Sequence, residues 1–224
     1  MNRLLRTVVL TSSLFLPPAL PAAIVLGSGP GLNLPIPDND QGGVIDTVTV
    51  LSMPEPIESI TVTLDVGGGW NGDLYAYLEH DGVLAMLLNR PGRTAIDSTG
   101  AATSGFTVTF DDLATVDAHA GFAGDFGQEV TGTFQPDARL DDPDLVLDTS
   151  PRSAFLNSFH NQNGVGDWTL FVADLGAGDT ATLRSWSLSF TLVPEPSSVC
   201  IVLAAGGSFL AARRRRPSIA RQRA

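Results

Sequence analysis

Five aspartates, Asp38, Asp40, Asp73, Asp174 and Asp179, fall in segments dense in turn-forming residues. A carboxylate is a hard oxygen donor. Loop carboxylates together with backbone carbonyls are what Ca2+ gathers into a shell of about six to eight oxygens. The same side chains can instead close turns by accepting backbone N–H groups, the ordinary work of Asp in loops. Ca2+ is the one cofactor this pattern suggests, and turn capping is the competing reading.

Other chemistry finds less support. The histidines are His80, His119 and His160, and a Ser-His-Asp triad can be assembled on paper from so many Ser and Asp. No Gly-x-Ser-x-Gly elbow accompanies them, and no pair of histidines stands at i, i+4. No residue is therefore assigned a catalytic role. Three aromatics are candidates for contact with a sugar: Trp70, Tyr75 and Tyr77. Tyr75 and Tyr77 share a strand face opposite Leu74, Ala76 and Leu78, so one set is exposed unless both faces are covered. Packing beneath a loop is the plainer expectation for Trp70.

Charge narrows the partners. The chain has 224 residues and 13 basic side chains, all of them Arg. Eight of these lie at the ends: Arg3, Arg6, Arg213, Arg214, Arg215, Arg216, Arg221 and Arg223. Residues 24–193 keep 23 acids against five arginines, a formal charge of −18. Such a body repels nucleic acid and anionic lipid and attracts cations. Cys200 is the single cysteine, which excludes an intrachain disulfide and a multi-thiolate zinc site.

The two ends read as addresses. Residues 1–23 combine Arg3 and Arg6, a short apolar run and a Pro-Ala-rich exit, the layout of a secretory signal peptide cut near Ala22 or Ala23. At the other end Pro194-Glu195-Pro196 precedes an uncharged run over residues 197–212 and then Arg213–Arg216. Sixteen residues make a helix of about 24 Å, close to a membrane span. The positive-inside rule keeps the Arg block cytoplasmic and puts the body outside. This order resembles the PEP-CTERM sorting tag, which an exosortase recognises and cuts in Gram-negative bacteria that make extracellular polysaccharide. The resemblance implies an inner-membrane-anchored precursor with a periplasmic body, later released to the cell surface or beyond. Residues 193–217 are then the sorting signal with its transmembrane helix, and residues 218–224 a basic cytoplasmic tail.

Between the ends, residues 33–192 read as one all-β domain. Ile60, Val62, Leu64 and Val66 alternate with Thr61, Thr63 and Asp65. Trp186, Leu188, Phe190 and Leu192 alternate with Ser185, Ser187, Ser189 and Thr191. Phe106, Val108 and Phe110 repeat the pattern, as do Trp168, Leu170 and Val172. Period-2 alternation marks half-buried antiparallel strands. Turn clusters such as Gly67-Gly68-Gly69 and His80-Asp81-Gly82 punctuate them, predicting a β-sandwich or jelly roll of about eight strands. The Gly- and Asp-rich stretch 114–149 is expected to be long loops.

Several of these segments stand in a recognisable order. Ile36-Pro37-Asp38-Asn39 opens the body, and Trp70-Asn71-Gly72-Asp73-Leu74-Tyr75 follows a strand. Asp167-Trp168-Thr169-Leu170-Phe171-Val172-Ala173-Asp174, Gly178-Asp179-Thr180 and Ser185-Trp186-Ser187-Leu188 close it. The body thereby resembles the P domain (Homo B domain) of kexin-type proprotein convertases. The resemblance implies a jelly-roll-like, galactose-binding-like β-sandwich that stabilises a neighbouring protease and contributes to its calcium dependence. Where convertases often carry Ser-Pro-x-Gly, this chain has Glu79-His80-Asp81-Gly82. The expected function is that of a non-catalytic surface or matrix protein, with exosortase and extracellular polysaccharide as partners. An accessory module for a separate subtilisin-like protease is the alternative, and a small hydrolase the weakest reading.

Overall fold

Alternation of apolar and hydroxyl side chains forces the longest strands to lie between a core and water, and the fold follows from pairing them. The computed structural model describes residues 23–29 and 31–193. The body of the leader, Pro194-Glu195-Pro196, Cys200, the apolar run and the Arg cluster lie outside the described residues. Among the described residues no helix is long and apolar enough to cross a membrane.

The described residues form ten strands: β1 (Ala23–Gly27), β2 (Leu34–Ile36), β3 (Asp40–Val50), β4 (Ile57–Gly68), β5 (Leu74–His80), β6 (Val83–Asn89), β7 (Phe106–Phe110), β8 (Val130–Phe134), β9 (Gly166–Asp174) and β10 (Ala181–Leu192). A short α-helix, α1 (Ala118–Gly121), is capped by the Asp117 carboxylate, which accepts the Ala120 N–H. The larger sheet runs β1-β10-β4-β7-β8, with β2 also on β10; the smaller runs β3-β9-β5-β6. The two face each other as a sandwich.

The core is what the alternation demands. β10 and β4 pair antiparallel with Trp186 opposite Leu64, Leu188 opposite Val62 and Phe190 opposite Ile60, all buried. From the other sheet Leu74, Ala76, Leu78, Trp168, Leu170 and Val172 meet them. Trp168 packs edge-on against Phe190 at 5.0 Å and Phe159 at 4.9 Å. The β5–β6 hairpin turns on Asp81-Gly82, both at positive φ (48° and 79°), the backbone a tight two-residue turn requires. The Glu79 carboxylate accepts the Gly82 N–H across it.

Three features depart from expectation. Two short strands, β1 and β2, share the free edge of β10. The sandwich thus reaches upstream of residue 33: the backbone of Ile24-Val25-Leu26, just past the expected leader, pairs with residues 188–190. β7 and β8 run parallel, not antiparallel, since the crossover through α1 returns the chain to the same end of the sheet. The stretch 114–149 is not all loop, as it holds α1 and β8. Its loops are fixed by buried ions. Arg139 donates to Asp137 (3.0 Å), Asp117 (3.3 Å) and the Asp148 carbonyl (2.9 Å), and Arg152 donates to the Pro136 carbonyl at 2.7 Å.

Candidate functional site

Antiparallel strands bring the turn after β2, the end of β9 and the start of β5 to one end of the small sheet. Asp40 stands opposite Asp174, and Asp174 opposite Leu74. The loop aspartates are collected here. Asp38 accepts the Gly178 N–H (3.1 and 3.2 Å to its two oxygens), Asp40 the Gly42 N–H (2.8 Å) and Asp174 the Gly176 N–H (3.2 Å). Asp73 is bound by Arg90 at 2.9 Å. Its carboxylate lies so close to Gly176 that a side chain there would collide with it.

Asp174 is the electrostatic centre of the group. Only 1% of it is exposed. Burial pushes its pKa up to about 6; the Gly176 bond opposes the rise, and the charges of Asp73, Asp38 and Asp179 add to it. Burial also raises Asp73, against the pull of Arg90 and with a push from Asp179. Four of the five predicted aspartates therefore feel one another, and Asp40 shares the strand register. The donors are of the type a hard cation takes. Their placement is not a ready cage: among the described residues no three acidic, His or Cys side chains converge closely enough to hold a metal ion.

Beside this cluster the outer face of the small sheet carries an aromatic shelf. Tyr75 and Tyr77 of β5 and Phe171 of β9 all point away from the core, each half-buried. Tyr77 and Phe171 are opposite in register and stack at 4.8 Å with 16° between their planes. Tyr75 meets both edge-on, at 6.0 and 6.2 Å. The shelf floors an open cleft of about 580 Å3, rimmed by Asn39, Gln41, Asp142, Pro143, Asp144 and Leu175. Trp70 lies in a second, neighbouring hollow of about 330 Å3 with Asp73, Arg90, Thr99 and Asp179. Its indole N–H donates to the Thr99 carbonyl (3.0 Å), and Phe126 packs on its edge at 5.7 Å. Arg90 stands between the two hollows, holding Asp73 on one side and Asp144 (3.4 Å) on the other.

The histidines serve the fold. His80 is buried, stacked on Trp168 at 4.1 Å, and its two nitrogens contact the Asp167 and Asn163 carbonyls. His119 is buried between the Asp137 carboxylate (2.9 Å) and the Arg93 carbonyl (2.8 Å). Burial lowers its pKa, but the bond to Asp137, the charge of that carboxylate and the contact with the Arg93 carbonyl together outweigh it, so the net direction is upward. His160 contacts the Glu58 carbonyl at 2.8 Å.

Phe171 and the rim residues escaped the sequence reading. The signal for Phe171 was present: if Trp168, Leu170 and Val172 point inward, it must point outward. Asn39, Gln41, Asp142 and Asp144 are loop residues with no periodicity to betray them.

The family model of the proprotein convertase P-domain matches residues 138–190. The match takes in β9 and most of β10. It supports the resemblance carried by the closing segments. Two solved structures are similar: the crystal structure of the serine protease of Aeromonas sobria, and that of the same protease in complex with the chaperone ORF2. Each shares 16% identity at a TM-score of 0.41 over 78% of this chain. The chain spans 28% of the length of either. No curated protein matches it.

Proposed function

We propose that this chain is a non-catalytic, P-domain-like binding module, exported and handed to an exosortase, that holds extracellular polysaccharide in the cleft over Tyr75, Tyr77 and Phe171. The observation that carries the reading is the shelf itself. Three aromatic rings stand on a sheet face left partly open, beside amides and carboxylates that can hydrogen-bond a polyhydroxylated chain. Aromatic faces next to a few convergent polar groups are the usual construction of a ligand site. P domains are accessory parts of proteases, which agrees with a binding role.

Export and sorting rest on residues 1–23 and on Pro194-Glu195-Pro196 with its apolar run and Arg213–Arg216. In this reading the precursor is anchored in the inner membrane with its body in the periplasm until the exosortase acts. Replacing Pro194 and Glu195 by Ala leaves an unprocessed, membrane-retained precursor; equal mature size and release for wild type and variant would sink the sorting claim.

Calcium enters as the ion that would relieve the repulsion around Asp174, by drawing in carboxylates now engaged on Gly178, Gly176 and Arg90. The match to the P-domain family favours a second reading, an accessory module for a separate subtilisin-like protease. A glycan array separates the two. The polysaccharide reading expects retention that falls at least tenfold in Tyr77→Ala, and an array blank under Ca2+ and under EDTA would remove it.

A further inference from the structure

The rim of the aromatic cleft is anionic in a way that selects its ligand. Asp142 and Asp144 are both exposed, Asp144 by 75% of its side chain. The Asp142 carboxylate accepts the Asp144 N–H at 2.9 Å, which holds the two side by side. The nearby cations are occupied. Arg90, 12% exposed, is bound to Asp73 at 2.9 Å and reaches Asp144 only at 3.4 Å. Arg93 donates to the Pro143 and Asp144 carbonyls, fixing the loop backbone and leaving its carboxylates outside. Asp40 and the cluster around Asp174 lie behind the same end of the sheet. Uronate or phosphate groups approaching this rim would meet repulsion, reinforced by the −18 of the body.

The floor adds a second constraint. Tyr77 and Phe171 are already stacked on each other, so no planar group can enter between them. A ligand must lie on top, as the C–H face of a hexose ring does. A cationic substituent on that ring would sit against the rim carboxylates. That contact favours it, because N–H to carboxylate bonds are about twice as strong as neutral ones.

Resting on the polysaccharide reading above, we infer that the cleft selects a polymer of amino sugars whose amines are free, and that Asp142 and Asp144 recognise the ammonium groups. The full chain is titrated with glucosamine hexamer, N-acetylglucosamine hexamer, a galacturonate hexamer and hexalysine. The free-amine sugar binds at least tenfold more tightly than its acetylated twin, and the uronate does not bind. Asp142→Asn with Asp144→Asn keeps the hydrogen-bonding shape, so it erases the difference between the two hexosamines without lowering Tm. Tyr77→Ala weakens both hexosamines.

Equal binding of the free and acetylated hexamers overturns the inference and leaves the polysaccharide reading standing. Binding of hexalysine as tight as glucosamine hexamer, and unchanged in Tyr77→Ala, also overturns it, because the acids would then be a general cation-attracting surface. Absence of binding to every sugar removes both readings. The carboxylate variant decides the matter even where Tyr77→Ala fails to fold.

Discussion

Asp174→Asn tests the electrostatics of the loop cluster. The pKa of Asp174 is raised from 3.8 to about 6, so the native state holds its proton more tightly than the unfolded chain does. The sign follows: the native state loses stability as pH rises from about 4 to about 6, and the full cost stands above that window. A rise of this size corresponds to about 3 kcal/mol as an upper bound, at about 1.4 kcal/mol per unit. Two of the neighbours that raise it, Asp38 and Asp179, are exposed and screened by water and salt, which brings the expected cost to about 1–3 kcal/mol. Asn keeps an oxygen for the Gly176 N–H and carries no charge. In urea denaturation without divalent ions, Asp174→Asn is therefore more stable than wild type by about 1–3 kcal/mol at pH 7.5 and equal to it near pH 4. A variant no more stable than wild type at pH 7.5 would refute the claim that burial and the neighbouring carboxylates make this charge costly. Calcium adds an internal control. An ion bound only by the native state stabilises it by RT ln(1 + [L]/Kd), about 2.7 kcal/mol at a hundredfold excess. If Ca2+ occupies the cluster, millimolar Ca2+ raises the wild-type Tm more than Mg2+ does, and Asp174→Asn loses that increment. Equal shifts with both ions would mean charge screening alone.

Two further outcomes follow from the core. Trp186 is 2% exposed and its indole N–H donates to Asp46 at 2.6 Å, so Trp186→Ala costs about 3–5 kcal/mol; a loss under about 1 kcal/mol in chemical denaturation would contradict its burial. The raised pKa of His119 makes the His119–Asp137 pair fully stabilising below about pH 6.5, with that contribution lost as pH rises through the higher native value. His119→Gln should cost about 3 kcal/mol at pH 6 and clearly less at pH 9, and a pH-independent cost in thermal melts would show that the ring is neutral throughout.

Much of the fold was legible because four strands face water on one side only. In β4, β7, β9 and β10 the period of two names the inward residues one by one, and each is buried as read. The gathering of Asp38, Asp73, Asp174 and Asp179 was half legible: turn chemistry located each residue, but only the β3–β9–β5 pairing shows that their turns share one end. What stayed hidden depends on contacts between distant loops. Asp137 and Arg139 lie in a stretch expected to be long loops and are buried, because each pairs with the other and Asp137 also with His119, 18 residues away. The parallel β7–β8 pair was hidden for the same reason, since alternation reports which face is wet and not which way the neighbour runs. The cleft combines both cases. Its floor follows from alternation, while its rim comes from residues 39–41 and 142–144, which only the folded sheet brings together.

The central claim is that the face over Tyr75, Tyr77 and Phe171 binds a polysaccharide and leaves it intact. Calorimetric titration of purified extracellular polysaccharide fragments, with mass spectrometry of the fragments afterwards, tests both halves at once. The account predicts saturable binding that weakens at least tenfold in Tyr77→Ala, with fragment masses unchanged. Binding that Tyr77→Ala leaves untouched, or fragments shortened by the wild-type protein, would contradict it.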